Sequence, residues 1–255
     1  MSRIYVYGVV RTGHPLPTGP TGVGSPPEPL RALPAGALTA VISAAPDGML
    51  ARRRDIIAHQ DALIALAATG PVIPMRFGSL APDEDTVRAR LSDRPEEQLA
   101  VLERLAGRVE MNLKALVVED ALPQLLREDG RLRRLHSQLR AHPGYEASIR
   151  LGQAVAEGLQ RRALRAAVRT RDRIRALADD TAAGPELDGC VLNLSFLLRR
   201  EAEEEFRATV ADCVAEYTGH ADFRLSGPLP CFSFTGLPGQ AAPARRSAPT
   251  TARAR

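Results

Sequence analysis

Residues 3–10, Arg-Ile-Tyr-Val-Tyr-Gly-Val-Val, form a β-rich run that ends at a Gly/Pro/Thr-rich stretch, residues 11–29, expected to be a mobile loop. Leu38 to Ser43 predicts a second strand. From Arg52 to Thr69 the period becomes helical: Ile56, Ile57, Leu63, Ile64 and Leu66 gather on one side, and Gly70-Pro71 stops the pattern. Pro-Val-Ile-Pro-Met-Arg-Phe-Gly-Ser-Leu, residues 71–80, predicts a third strand punctuated by two prolines. Asp83-Glu84-Asp85 opens a helix to about Ser92, with its acids at the positive end of the helix dipole. A further helix is predicted from about Pro95 to Leu105.

A long strand follows from Gly107 to Val118, alternating at Val109, Met111, Leu113 and Ala115. Asp120 to about Leu139 reads as helical but broken near Gly130. Across residues 145–178 the apolar positions Leu151, Val155, Leu159, Ala163, Ala166, Ile174 and Leu177 fall mostly three, four or seven apart. They predict a long amphipathic helix, half of a helical hairpin or coiled coil. Cys190 to Leu198 predicts a buried strand, Glu201 to Tyr217 a helix, and Asp222 to Ser226 a closing strand. The expected fold class is α+β in two domains, each a small, mainly antiparallel sheet with helices on one face. The first spans residues 1–106. The second, 107–237, has the order of a ferredoxin-like unit with a helical insertion. An Ala/Pro/Arg-rich tail, 238–255, is expected to be disordered.

Composition adds exclusions. At 44% hydrophobic and 25% charged, the 255 residues describe an ordinary globular protein, and no apolar run approaches the roughly 20 residues of a membrane span. The N-terminus lacks a signal peptide's pattern, which predicts a cytoplasmic protein. The net charge of +4 equals the four arginines of the tail, Arg245, Arg246, Arg253 and Arg255, so the body is neutral. Residues 131–175 nevertheless hold 12 arginines against Glu146, Glu157 and Asp172. Such a helix could bind RNA, an acidic protein or another anionic surface through Arg161, Arg162, Arg165 and Arg169, or its charges could pair within the molecule, most obviously with the run Glu201 to Glu205. Nucleic acid is disfavoured, because Tyr145 is the one aromatic residue in that span.

Few residues suggest chemistry. Cys190, Cys213 and Cys231 lack any CxxC pairing, and the nearest histidine to Cys231 is His220, eleven residues away. His59 and Asp61 point about 200° apart on one helix, which predicts a surface or capping role for His59. Arg76, in an otherwise apolar strand, is expected to pair with Glu110. There is no P-loop, GxGxxG, HExxH or GxSxG motif. No catalytic, cofactor or metal residue is assigned.

The stretch Gly227-Pro228-Leu229-Pro230-Cys231-Phe232-Ser233-Phe234 is expected to mark a bulge or edge followed by alternation, Phe232 and Phe234 on one face and Cys231 and Ser233 on the other. This stretch resembles the closing motif of the gas vesicle protein F/L family, which usually reads Gly-Pro-Trp-Pro-Pro-Tyr-Ser-Phe. The opening run at residues 3–10, the passage from His59-Gln60 to Met75-Arg76-Phe77-Gly78, and Leu105 to Lys114 are similar to the same family in the same order. The resemblance covers roughly residues 3–236. It implies a non-catalytic accessory protein of gas vesicle formation that binds the shell protein or other accessory proteins, at the gas vesicle in the cytoplasm. On that reading Arg76, Phe77, Phe232, Phe234 and the arginines named above are the candidate partner-binding residues.

Overall fold

The structure, a computed structural model, describes residues 3–19 and 21–236; the arginine-rich tail lies outside them. Two antiparallel sheets organise the chain. The first contains β1 (Ile4–Arg11), β2 (Arg31–Ala35) and β3 (Leu38–Ala44) in the order β2-β3-β1, with the two-residue strands β4 (Ile73–Pro74) and β5 (Leu80–Ala81) against the free side of β1. Helices α1 (Arg53–Thr69), α2 (Glu84–Asp93) and α3 (Pro95–Leu105) complete this half. The third strand expected over 71–80 is thus two short pieces separated by a turn, because Ser79 returns its carbonyl to the Val6 amide. Asp83 caps α2 by accepting from the Thr86 amide at 2.7 Å.

Helices cover both faces of this sheet, not one as expected. Val87, Leu91 and Leu102 of α2 and α3 pack with Ile4, Val6, Val9, Ala40 and Ile42. Ala62, Leu63 and Leu66 of α1 pack with Tyr5, Tyr7, Val10 and Val41 on the other side. Two covered faces explain why β1 is apolar without interruption rather than alternating. A bulge between Val6 and Gly8 shifts its register. At Gly8 an added Cβ would stand 2.8 Å from Val72 Cγ2 and 2.9 Å from the Ile73 carbonyl, so β4 approaches only because glycine is there.

The second sheet contains β6 (Arg108–Val117), β7 (Asp180–Ala183), β8 (Cys190–Arg199) and β9 (Ala221–Leu229) in the order β7-β8-β6-β9. With α6 (Tyr145–Ile174) between β6 and β7, and α7 (Glu203–Glu216) between β8 and β9, this is the ferredoxin-like order. Val109, Met111 and Leu113 face these helices and meet Ile174, Phe196, Phe206 and Val210. The inserted helices α4 (Leu122–Glu128) and α5 (Gly130–Ala141) fold back on α6 around Leu125, Leu132 and Leu159. The break expected near Gly130 is made by Asp129, whose carboxylate caps α5 through the Arg131 and Leu132 amides. The opposite face carries Glu110, Asn112 and Ser195, and the closing residues of the chain cover one end of it.

Candidate functional site

The closing segment lies in the junction between the two sheets. At Gly227 the chain has φ 136°, and a Cβ would meet Met111 Sδ at 2.5 Å, so glycine is required both by conformation and by space. The register of β9 on β6 shifts between Glu110 and Asn112, a bulge at the chain's edge strand. Beyond Pro230 the extended backbone stops. Phe232 to Phe234 form a turn of 3₁₀-helix, which corrects the expected alternation: the three side chains diverge instead of sorting to two faces. Phe232 packs on the Tyr5, Tyr7, Leu63 core of the first half. Phe234 is buried with Cys231, Leu105 and Leu197. Ser233 donates to the carboxylate of Glu110 twice, from its amide at 2.9 Å and its hydroxyl at 2.7 Å. The Arg104 guanidinium holds the Phe234 carbonyl.

Glu110, only 4% exposed, is therefore engaged by Ser233 and not by Arg76 as expected. Each carboxylate oxygen accepts one of the two, Oε2 from the amide and Oε1 from the hydroxyl. The Cys231 thiol is pushed up to about 12 by burial, reinforced by Glu110. Among the described residues its hydrogen-bond contact is the Arg108 carbonyl at 3.9 Å. Burial thus disfavours the thiolate, the form in which a cysteine acts as a nucleophile.

His59 is buried, which corrects its expected surface role. The Met75 carbonyl can only accept, so His59 Nε2 donates to it at 3.0 Å and Nδ1 accepts from the Tyr5 hydroxyl at 2.9 Å. The Gly78 amide donates to the Tyr5 oxygen at 3.1 Å. Tyr7 stacks on the imidazole with ring centroids 5.7 Å apart, and Phe77 meets it edge-on at 5.8 Å. Burial lowers the pKa of His59 and raises those of Tyr5 and Tyr7. All three stay neutral near pH 7, a satisfied polar cluster rather than an acid–base pair.

Most arginines of α6 are exposed, and several pair along the helix or with neighbouring helices. Arg161 pairs with Glu157 at 3.4 Å, and the buried Arg162 reaches Glu128 of α4 at 3.2 Å. Arg169 lies near the Tyr217 phenol, and Arg165 and Arg169 are both exposed. Arg173 pairs with Glu216 at 3.2 Å and Asp212 at 3.9 Å, while Glu203 is taken by Arg207 of its own helix. The expected partner run at 201–205 thus lies too early along α7, and residues two to three turns later do the pairing. Among the described residues no cluster of three metal-ligating side chains occurs, and no helix is long and apolar enough to cross a membrane.

The model of one protein family, gas vesicle synthesis protein GvpL/GvpF, matches residues 3–236. The chain belongs to this family. Gas vesicle protein F of Streptomyces sp. (strain CB03234) is 41% identical over 234 residues, 90% of this chain and 98% of that protein. Gas vesicle protein L of the same strain is 28% identical over 91% of this chain and 92% of its own. The fold is shared with the crystal structures of GvpF from Anabaena sp. PCC7120, at TM-score 0.74 and 23% identity, and from Microcystis aeruginosa, at 0.71 and 22%. Each alignment covers 93% of this chain and at least 99% of the other. The four segments that carry the GvpF/GvpL resemblance converge in space. β1 supplies Tyr5 and Tyr7, α1 and the following turn supply His59 and Phe77, β6 supplies Glu110, and the closing segment supplies Phe232 and Ser233. Sequence reasoning missed His59 as a core residue, although Ala62, Leu63 and Leu66, three, four and seven residues on, share its buried stripe.

Proposed function

We propose that this GvpF/GvpL-family protein is a non-catalytic accessory protein of gas vesicle formation, acting in the cytoplasm. It assists assembly of the gas-filled shell by binding the shell protein or other accessory proteins. The observation that carries this reading is the family match across residues 3–236 together with 41% identity to a gas vesicle protein F. The identity to the L protein, 28%, is lower, which supports an F-type role. A buried, neutral cluster and a protonated Cys231 fit a scaffold better than an enzyme. Arg161, Arg165 and Arg169 on α6, and Arg76, Phe77 and Phe232 at the junction, are its proposed contact residues. Arg162 and Phe234, both buried, act through packing. An RNA-binding role has little to support it in residues 131–175, where Tyr145 is the one aromatic residue on which a base could stack. The test is deletion and complementation in a vesicle-forming cell, with capture of the shell protein on the tagged chain. Vesicles that form normally without the protein would refute the reading, as would capture of RNA alone with steep salt dependence.

A further inference from the structure

Helix α1 divides its apolar residues between the core and the surface. It buries Asp55 and His59, each 4% exposed, while Ile56, Ile57 and Ile64 stay 41%, 45% and 42% exposed. An amphipathic helix at a sheet should do the opposite. The expected stripe of Ile56, Ile57, Leu63, Ile64 and Leu66 is therefore split, only its leucines entering the core.

The exposed side of α1 forms one wall of a groove whose other wall is the closing segment. A hollow of about 310 Å³ lies between Ile56, Phe77 and Phe232, and another of about 320 Å³ between Ile64, Ala67 and Arg200. Leu229 and Pro230 line both, so the two hollows adjoin along the groove. From Ile56 to Ala67 it runs about 17 Å at 1.5 Å per residue, the length of three helical turns. An added strand is a poor occupant. One wall is a helix with its backbone bonds closed, and the other contains Pro228 and Pro230, which lack the amide a strand partner needs. The charge is one-sided as well. Every charged side chain lining either hollow is an arginine (Arg76, Arg200 and Arg108, the last held by Asp179 at 2.8 Å), and Arg53 and Arg54 stand exposed where α1 begins, Arg54 3.7 Å from Asp55.

We propose that this groove docks a short amphipathic helix of a protein partner, with an apolar stripe at i, i+3/i+4, i+7 and acidic residues flanking it. The apolar stripe covers Ile56 and Ile64, and the acids meet the arginine rim. The proposal rests on the accessory-protein reading and specifies its partner's chemistry.

The probe is a synthetic helical peptide of three to four turns with a leucine stripe and glutamate flanks, titrated by fluorescence anisotropy into the full chain. A control peptide carries lysine for glutamate. Saturable binding is expected, at least tenfold tighter for the glutamate peptide, and at least tenfold weaker to Ile56→Ser/Ile64→Ser. Gln60→Glu, an exposed position between them, should weaken the glutamate peptide and strengthen the lysine one, giving a charge readout should the serine variant fold poorly. No binding by the unaltered chain, equal affinity for both peptides, or insensitivity to these substitutions overturns the proposal. A dimer in sedimentation that Ile56→Ser/Ile64→Ser dissociates also overturns it, assigning the groove to a second copy. Vesicle complementation separates the two levels. A chain still needed for vesicles but blind to the peptide loses only the groove, whereas a chain not needed for vesicles loses the functional reading.

Discussion

Ser233→Ala tests how the closing segment is held. The substitution removes the hydroxyl that donates to Glu110 at 2.7 Å and leaves the amide bond at 2.9 Å in place. A hydrogen bond to a charged group contributes about 1.5–3 kcal/mol. Ser233 is itself exposed, so water competes for its hydroxyl and the lower end of that range applies. The loss should be about 1.5–2 kcal/mol, read as a fall in the urea midpoint at unchanged slope. Glu110→Gln replaces one acceptor oxygen by a donor facing another donor, so it should cost at least as much. If the two groups act through each other, the double variant should be less damaging than the sum, with a coupling of about 1–2 kcal/mol. Amides of residues 231–236 should exchange faster in either variant, because the segment opens before the sheets do. A loss below about 0.5 kcal/mol, or strict additivity, would refute the assignment of Glu110 as the segment's anchor.

Phe234→Ala empties a buried site among Cys231, Leu105 and Leu197 and should cost about 3–5 kcal/mol, whereas the half-exposed Phe232→Ala should cost about 1–2 kcal/mol, both by denaturant unfolding. Arg162→Met removes a buried cation whose Nε and Nη1 have no hydrogen-bond partner among the described residues; stability should be unchanged or rise by up to about 2 kcal/mol, and a clear loss would show that the Glu128 pair outweighs its desolvation. Stability should also depend on pH at both ends. His59, lowered by burial, binds its proton more weakly folded than unfolded, so stability is full above the unfolded value of about 6.5 and falls as pH drops below it; His14 and His220 act in the same direction. Tyr5, Tyr7 and Cys231 are raised, so their contribution is intact below their unfolded values and is lost as pH climbs past about 8.5 for the thiol and about 10 for the phenols. A flat urea midpoint between pH 5 and pH 7 would contradict the acid limb.

Much of the second half was legible because its signals are local. Alternation at Val109, Met111 and Leu113 marks one covered face of β6, and Asp129 before Gly130 marks a capped helix start. The strands β2 and β7 were not legible. Each is an edge strand of five or four residues whose side chains are mostly exposed, and pairing to a neighbour, not a hydrophobic period, makes it a strand. The covering of both faces of the first sheet shows only in the unbroken apolar run of β1, which a buried helix segment could also produce. At the junction, the Gly-Pro-x-Pro bulge was readable from glycine and proline chemistry. The 3₁₀ turn after it was not, because the bond that shapes it joins Ser233 to Glu110 across 123 residues of chain.

The departures from local rules share a location. A helix that hides Asp55 and His59 and shows three isoleucines, a glutamate buried in a sheet, and a strand that ends in two prolines all border the junction between the sheets. Buried Arg162 and Thr170 on α6 depart from the rules too, but other regions follow their propensities: the Phe196–Phe206 pair sits in an ordinary core with ring centroids 5.2 Å apart, and α2 and α5 begin at aspartate caps. Burying polar groups costs free energy that apolar residues at the same positions would not, so such a concentration needs a purpose. His59 and Glu110 meet it through geometry. Each fixes the backbone of a segment whose apolar side chains are already packed, the Met75–Gly78 turn in one case and residues 231–234 in the other. Those two segments form the walls facing the isoleucines of α1. The buried polar groups hold the groove open and in shape, and an apolar replacement could fill the volume without aiming the backbone.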